Sequence, residues 1–161
     1  MASLPEIKNS ESFNGEILHS NNYKATDPTL KNKRVVVVGN SYSGAEISSH
    51  LVGHAKSITN VFTRPYLVFP RLLRIETEEK NVYNIFPNDL FYSRKLAFTT
   101  QTPEQERKAK IEIFSKLCPI QTNKKKSHPD MYYDLDNDEP IREAVTDNYY
   151  SYVTSGTLFL S

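Results

Sequence analysis

The chain of 161 residues lacks several features that would assign it to other classes of protein. It has a single cysteine, Cys118, so no internal disulfide can form, and we expect a buried structural thiol and a reducing, cytoplasmic location. The formal net charge is +1, so no excess charge points to a nucleic acid or to an anionic membrane. No apolar run approaches the roughly 20 residues of a membrane span, and residues 1–20 lack the apolar segment of a signal peptide.

Glycine is also scarce, and two of the five glycines bracket the most informative segment of the chain. The apolar run Val35–Val38 is followed by a short turn, after which the amphipathic stretch Ala45–Ala55 begins. A buried strand, a glycine turn and a helix start are the parts of a dinucleotide-binding βαβ unit. The sequence therefore predicts an α/β, Rossmann-like domain whose turn binds the cofactor through Gly39, Asn40, Ser41, Tyr42, Ser43 and Gly44.

Each position in this turn has a physical reason. Gly39 allows a sharp reversal at the end of the strand, and Gly44 allows the helix to pack closely on it. Ser41 stands where the usual fingerprint has its second glycine, and it offers a hydroxyl donor to a phosphate oxygen. The first helical turn and the helix dipole favour an anion there. The alternative is an ordinary strand–turn–helix that binds no ligand.

The residues after the turn indicate which nucleotide it would bind. The segment Ser57–Thr63 predicts a second strand that ends at Arg64, and no Asp or Glu lies between Ser57 and Tyr66. An acidic residue at this point would suit the ribose of NAD, whereas an arginine suits the 2′-phosphate of NADP(H). The alternative for Arg64 is a solvated cation at a strand end.

A second motif precedes the first strand and carries a family resemblance. Residues 13–23 fit the pattern F-x-G-x-x-x-H-x-x-x-[Y/F] through Phe13, Gly15, His19 and Tyr23. This pattern, followed by a G-x-[GS]-x-[SA]-[GA] turn, resembles the flavin-containing monooxygenases over residues 4 to about 75. The related Baeyer–Villiger monooxygenases usually close the motif with Trp or Asp, so Tyr23 favours the former group.

The resemblance implies a two-lobed flavoprotein with an FAD-binding lobe and an inserted NADPH-binding lobe. In such enzymes NADPH reduces the flavin, and a flavin C4a-hydroperoxide then oxygenates a soft nitrogen or sulfur nucleophile of a small-molecule substrate. It also implies that Gly39, Ser41, Ser43 and Gly44 cradle the pyrophosphate and that Arg64 takes the 2′-phosphate. The linker motif would order the connection between the lobes, with His19 as a hydrogen-bonded structural residue.

The FAD-binding glycine fingerprint of that family is absent from this sequence. The five glycines, at positions 15, 39, 44, 53 and 156, form no second G-x-G-x-x-G. We therefore expect the chain to need an FAD-binding lobe as partner, to hold FAD poorly and to be inactive alone. Two alternatives stay open, which are a stand-alone NADP-dependent oxidoreductase and a non-catalytic Rossmann-like module.

The expected organisation is a linker over residues 1–30, a Rossmann-like core over 31–100 and a helical extension with a final strand over 101–161, together an incomplete three-layer sandwich. Residues 64–96 predict an irregular excursion with a short helix near Pro87–Tyr92. A capping box at Thr102 predicts a helix to about Leu117, and apolar spacing predicts another over Pro140–Val153. No metal site is expected, because the pair His50 and His54 lacks a third ligand.

Overall fold

The computed structural model describes residues 6–25, 27–79, 81–87, 102–137 and 139–161. The helices in these ranges are α1 (Tyr42–Leu51), α2 (Pro103–Leu117) and α3 (Tyr149–Thr154). None of them is long and apolar enough to cross a membrane. The strands are β1 (Arg34–Val38), β2 (Ser57–Val61), β3 (Leu67–Phe69), β4 (Leu72–Glu76), β5 (Tyr83–Pro87), β6 (Glu143–Val145) and β7 (Phe159–Leu160).

The predicted βαβ unit is present, with β1 and β2 side by side in a parallel sheet. Their register runs from Arg34 opposite Ser57 to Val38 opposite Val61, and β7 pairs in parallel with the other edge of β2. Helix α1 connects β1 to β2, beginning three residues before the predicted Ala45 and ending at Leu51. The α/β fold class and the final strand are thereby confirmed.

One face of this sheet is covered and the other is open. Val37, Ile58, Ala45 and Leu51 are buried in a single core with residues of α3 and the segment before β7. On the opposite face, Val36, Val38 and Phe159 are exposed by 62%, 66% and 55%. Parallel sheets in proteins are normally covered on both faces. The single helical layer agrees with the predicted incomplete sandwich.

A second core lies around β3 and α2. Leu67, Phe69 and Leu73 are buried against Phe114 of α2, whose ring centroid is 5.7 Å from that of Phe69. The predicted capping box is confirmed, because the Thr102 hydroxyl accepts from the Gln105 N–H and the Gln105 side chain accepts from the Thr102 N–H. Helix α2 begins directly after this cap and ends at Leu117, as predicted.

Two other predictions for this half of the chain are wrong. The helix predicted over Pro140–Val153 is a short strand, β6, followed by α3. β6 pairs in parallel with β3, and this pairing overrides the helical spacing of the apolar residues. The excursion predicted after Arg64 contains β3 and the antiparallel pair β4–β5. Pro87 ends β5, and the rest of the predicted short helix, up to Tyr92, falls outside the described residues.

The fully buried side chain of Asn60 joins these elements. Its amide nitrogen donates to the carbonyl oxygens of Val37, at 2.9 Å, and Gly39, at 2.8 Å. Its amide oxygen accepts from the hydroxyl of Tyr149 at 2.5 Å. Burial raises the pKa of Tyr149, so the phenol stays a neutral donor. One asparagine therefore ties the end of β1 and the glycine turn to helix α3.

Asn60→Ala is expected to lower the free energy of unfolding by about 2–4 kcal/mol, because three buried partners lose their hydrogen bonds. Tyr149→Phe removes one of the same bonds, so the double variant should lose less than the sum of the two single losses. Urea unfolding of the four proteins measures this coupling. Tyr152→Phe, on the same helix, is the matched control. Its loss in free energy of unfolding should simply add to that of Asn60→Ala. Additive losses with Tyr149→Phe would contradict the bond between the two side chains.

The buried thiol of Cys118 should make the free energy of unfolding depend on pH. It is buried beside α2, and burial raises the pKa of its thiol from 9.0 to about 12. The unfolded thiol ionises at lower pH than the folded one, so its contribution to stability is full below pH 9 and is lost as pH rises toward 12. The stability difference between wild type and Cys118→Ala should fall by up to about 1.4 kcal/mol for each pH unit above 9. A difference that stays constant from pH 8 to pH 10.5 would show that the folded thiol titrates normally.

Candidate functional site

The turn between β1 and α1 requires both of its glycines. Gly39 has φ of +101°, its N–H donates to the Val61 carbonyl oxygen at 2.8 Å, and its own carbonyl oxygen accepts from Asn60. A Cβ added at Gly44 would lie 2.0 Å from that same carbonyl oxygen. Only glycine at position 44 permits α1 to approach the turn this closely. The turn thus holds the start of α1 against the carboxyl end of β1.

The first turn of α1 is open to an anion. Ser41 is the N-cap residue, and its side chain makes no capping hydrogen bond. The amides of Tyr42, Ser43 and Gly44 also lack acceptors within the helix, as the first amides of any α-helix do. The side chains of Ser41, Tyr42 and Ser43 are exposed. These unpaired donors and the positive end of the helix dipole form the kind of site that binds phosphate groups.

Asn40 is the unusual member of this turn. Its side chain is only 2% exposed, yet neither the amide oxygen nor the amide nitrogen has a hydrogen-bond partner in the described chain. An unpaired buried amide costs about 1–3 kcal/mol, so such groups normally have a partner. Asn40 consequently places one donor and one acceptor, both unused, directly beside the N-cap of α1.

Arg64 follows β2 by three residues, so it lies at the carboxyl end of the sheet, where the glycine turn also lies. Its guanidinium Nη1 donates to both carboxylate oxygens of Glu139, at 2.7 and 2.6 Å. Both side chains are about half exposed. The predicted partner of a 2′-phosphate therefore already holds an anionic group from its own chain, and sequence reasoning did not identify that group.

The linker motif contains one capped turn and one close local contact. His19 is the N-cap of a 3-10 turn over Ser20–Asn22, where its Nδ1 accepts from the Asn21 N–H at 3.1 Å. Tyr23 follows this turn directly and packs against the core beside α1. The ring of Phe13 lies so close to Gly15 that a Cβ there would be 2.5 Å from it. The spacing from histidine to tyrosine is thus the length of one capped turn.

A groove of about 300 Å³ separates this linker motif from α1. It is lined by Ser20, Tyr23, Ala25, Ser43, Glu46, Ile47 and His50. Of the predicted cofactor-binding residues only Ser43 lines it, so the groove and the glycine turn are different features. The hydroxyl of Tyr23 is buried without a partner in the described chain, and burial raises its pKa.

The two histidines of α1 and the following turn do not form a pair. His50 lies 3.8 Å from Glu46, whereas His54 Nε2 is 3.1 Å from the Asp27 carbonyl oxygen. Among the residues that the structure describes, no group of three or more His, Cys, Asp or Glu side chains is arranged to hold a metal ion.

Two residues important to the site were missed in the sequence, Asn60 and Glu139. For Asn60 a signal existed, since asparagine is depleted in strands and this one alternates with Ile58 on the buried side of β2. For Glu139 there was none, because its partner Arg64 is 75 residues away in the sequence.

Comparison with known proteins shows which family this sequence resembles. The sequence profile described as flavin-binding monooxygenase-like matches residues 1–127. Two curated Arabidopsis thaliana proteins are similar over part of the chain. Flavin-containing monooxygenase FMO GS-OX-like 9 is 47% identical over 55 residues, which are 34% of this chain and 12% of that protein. Flavin-containing monooxygenase FMO GS-OX3 is 43% identical over 58 residues, 36% of this chain and 12% of that protein.

A crystal structure of OTEMO in complex with FAD and NADP matches 99% of this chain and 39% of its own, with a TM-score of 0.51 and 16% identity. At that identity the match supports the fold alone. The chain therefore spans well under half the length of the proteins it matches. Because the family profile covers most of the sequence, this chain belongs to the flavin-binding monooxygenase-like family.

Proposed function

We propose that this chain is the NADPH-binding portion of an FAD- and NADPH-dependent monooxygenase that oxygenates nitrogen or sulfur nucleophiles of small molecules. The observation that carries the proposal is the turn from Gly39 to Gly44. There, a close contact that only glycine permits holds the uncapped start of α1 next to the buried amide of Asn40, which has no partner among the described residues.

Within this proposal the residues of the turn fit a dinucleotide diphosphate. The amides of Tyr42, Ser43 and Gly44 and the hydroxyls of Ser41 and Ser43 would donate to its oxygens. Asn40 would pair its unused amide with the nucleotide by turning out of its buried position, and Gly39 would keep the backbone close. Arg64 would take the 2′-phosphate. When bound there, NADPH would supply a hydride to the flavin of an FAD-binding lobe.

The rest of the enzyme would come from an FAD-binding lobe. The open apolar face of the sheet, formed by Val36, Val38 and Phe159, supports the presence of a covering partner. The relatives are much longer than the part they share with this chain, which agrees with a further lobe. We accordingly propose that the chain does not turn over substrate alone and that it acts in the cytoplasm.

The chain should bind NADP+ more tightly than NAD+ by about tenfold, which corresponds to about 1.4 kcal/mol. Arg64→Ala should erase this preference, because only NADP+ carries the 2′-phosphate. The variant should bind NADP+ more weakly than wild type does and should bind NAD+ with unchanged affinity. Isothermal titration calorimetry with each nucleotide measures both values. Arg74→Ala is the matched control, since that guanidinium lies 3.9 Å from the centre of the Tyr83 ring and should not affect either nucleotide.

Other outcomes of this titration support the alternatives. Absence of affinity for both nucleotides would contradict the proposal and favour a non-catalytic module. Oxidation of NADPH by a carbonyl substrate without flavin, measured separately, would instead support a stand-alone NADP-dependent oxidoreductase, because NADPH then gives its hydride directly to the carbonyl carbon.

The purified chain is expected to carry no stoichiometric flavin, because its sequence has a single glycine fingerprint, which this proposal assigns to NADPH. The visible absorbance spectrum after incubation with FAD and gel filtration checks this. A yellow protein with one flavin per chain would contradict this assignment and would indicate that the turn from Gly39 to Gly44 binds flavin.

A further inference from the structure

Glu139 lies between two arginines at the edge of the sheet where Arg64 was predicted to bind a phosphate. Arg64 Nη1 donates to both of its carboxylate oxygens, at 2.7 and 2.6 Å. Arg142 Nη2 lies 3.6 Å from the second of these oxygens. A single carboxylate therefore faces two guanidinium groups, a pairing that leaves one positive charge in excess.

The backbone of Glu139 is held in place independently of its carboxylate. Its carbonyl oxygen accepts from Arg107 Nη1 at 2.9 Å, and the second guanidinium nitrogen of Arg107 donates to the Leu135 and Asn137 carbonyl oxygens. The Glu139 N–H donates to the Asn137 side chain at 3.0 Å. These hydrogen bonds connect the backbone at Glu139 to α2, to which Arg107 belongs, and none of them uses the Glu139 carboxylate.

The backbone of Arg142 is also hydrogen-bonded on both sides. Its N–H donates to the Tyr133 hydroxyl at 2.7 Å, and its carbonyl oxygen accepts from the Leu67 N–H at 2.9 Å. Leu67 begins β3, three residues after Arg64, so the two arginines flank the segment that leaves the carboxyl end of β2. That end of the sheet also carries the glycine turn, through the bond from Gly39 to Val61.

We propose that Arg142 is a second specificity residue for the 2′-phosphate and that Glu139 occupies the phosphate position when no nucleotide is bound. This inference rests on the proposed function. A phosphate monoester carries about −1.5 to −2 charges and three acceptor oxygens, so it satisfies two guanidinium groups better than one carboxylate does. The carboxylate is half exposed, and exposed ion pairs are weak, so the phosphate can displace it.

The experiment titrates NADP+ and NAD+, which differ by the 2′-phosphate alone, into wild type, into variants of Glu139 and Arg142 and into one control variant. Glu139→Gln removes the competing charge and should tighten NADP+ by about threefold, the scale of an exposed ion pair, with NAD+ unchanged. Arg142→Gln should weaken NADP+ by about threefold to tenfold, again with NAD+ unchanged. If Arg142→Gln does not fold, Arg142→Lys replaces it and should still weaken NADP+ binding, by a smaller factor, because lysine keeps the charge but loses the two-pronged guanidinium.

Glu112→Gln is the matched control. It makes the same change of charge on α2, where Glu112 pairs with Lys116 at 2.8 Å, and it should change neither affinity. The inference is overturned if Glu139→Gln leaves NADP+ binding unchanged, if it alters both nucleotides or if the arginine variant has no effect. If the inference is overturned but Arg64→Ala still erases the preference for NADP+, the proposed NADPH-binding function stands without the roles of Glu139 and Arg142. If wild type binds neither nucleotide, both fail together.

Discussion

The buried amide of Asn60 is the constraint on which the arrangement of the site depends. Its nitrogen fixes two carbonyl oxygens of the neighbouring strand and turn, and its oxygen is held by Tyr149. One of those carbonyls, that of Gly39, is also the atom that leaves no room for a Cβ at Gly44. Asn60 therefore holds the carbonyl against which the start of α1 packs, and with it the place where the first amides of that helix lie.

The parts of the fold that could be predicted from the sequence are those set by local residues. Four consecutive valines followed by glycine predict a strand and a turn, although only one face of that strand is covered, and the capping box at Thr102 fixes the start of α2. The linker motif is local as well, since His19 caps the turn that precedes Tyr23. In each case the residues that decide the structure lie within a few positions of one another.

The rest depends on contacts between distant parts of the chain. Asn60 and Tyr149 are 89 residues apart, and Arg64 and Glu139 are 75 apart, so neither pair leaves a local pattern. The segment around Ala144 has apolar spacing that suits a helix, but β3 offers it an unpaired edge and it forms β6. The glycine turn could thus be located from the sequence, while the partners that hold it and its neighbouring arginine could not.

Binding of a dinucleotide diphosphate at the turn between β1 and α1 can be followed residue by residue in ¹H–¹⁵N correlation spectra recorded during titration with NADP+. We predict that the largest shifts fall on the amides of Ser41, Tyr42, Ser43 and Gly44 and on the side-chain amide of Asn40. Unchanged resonances at these positions, or shifts confined to the groove residues Ser20, Tyr23 and His50, would contradict it.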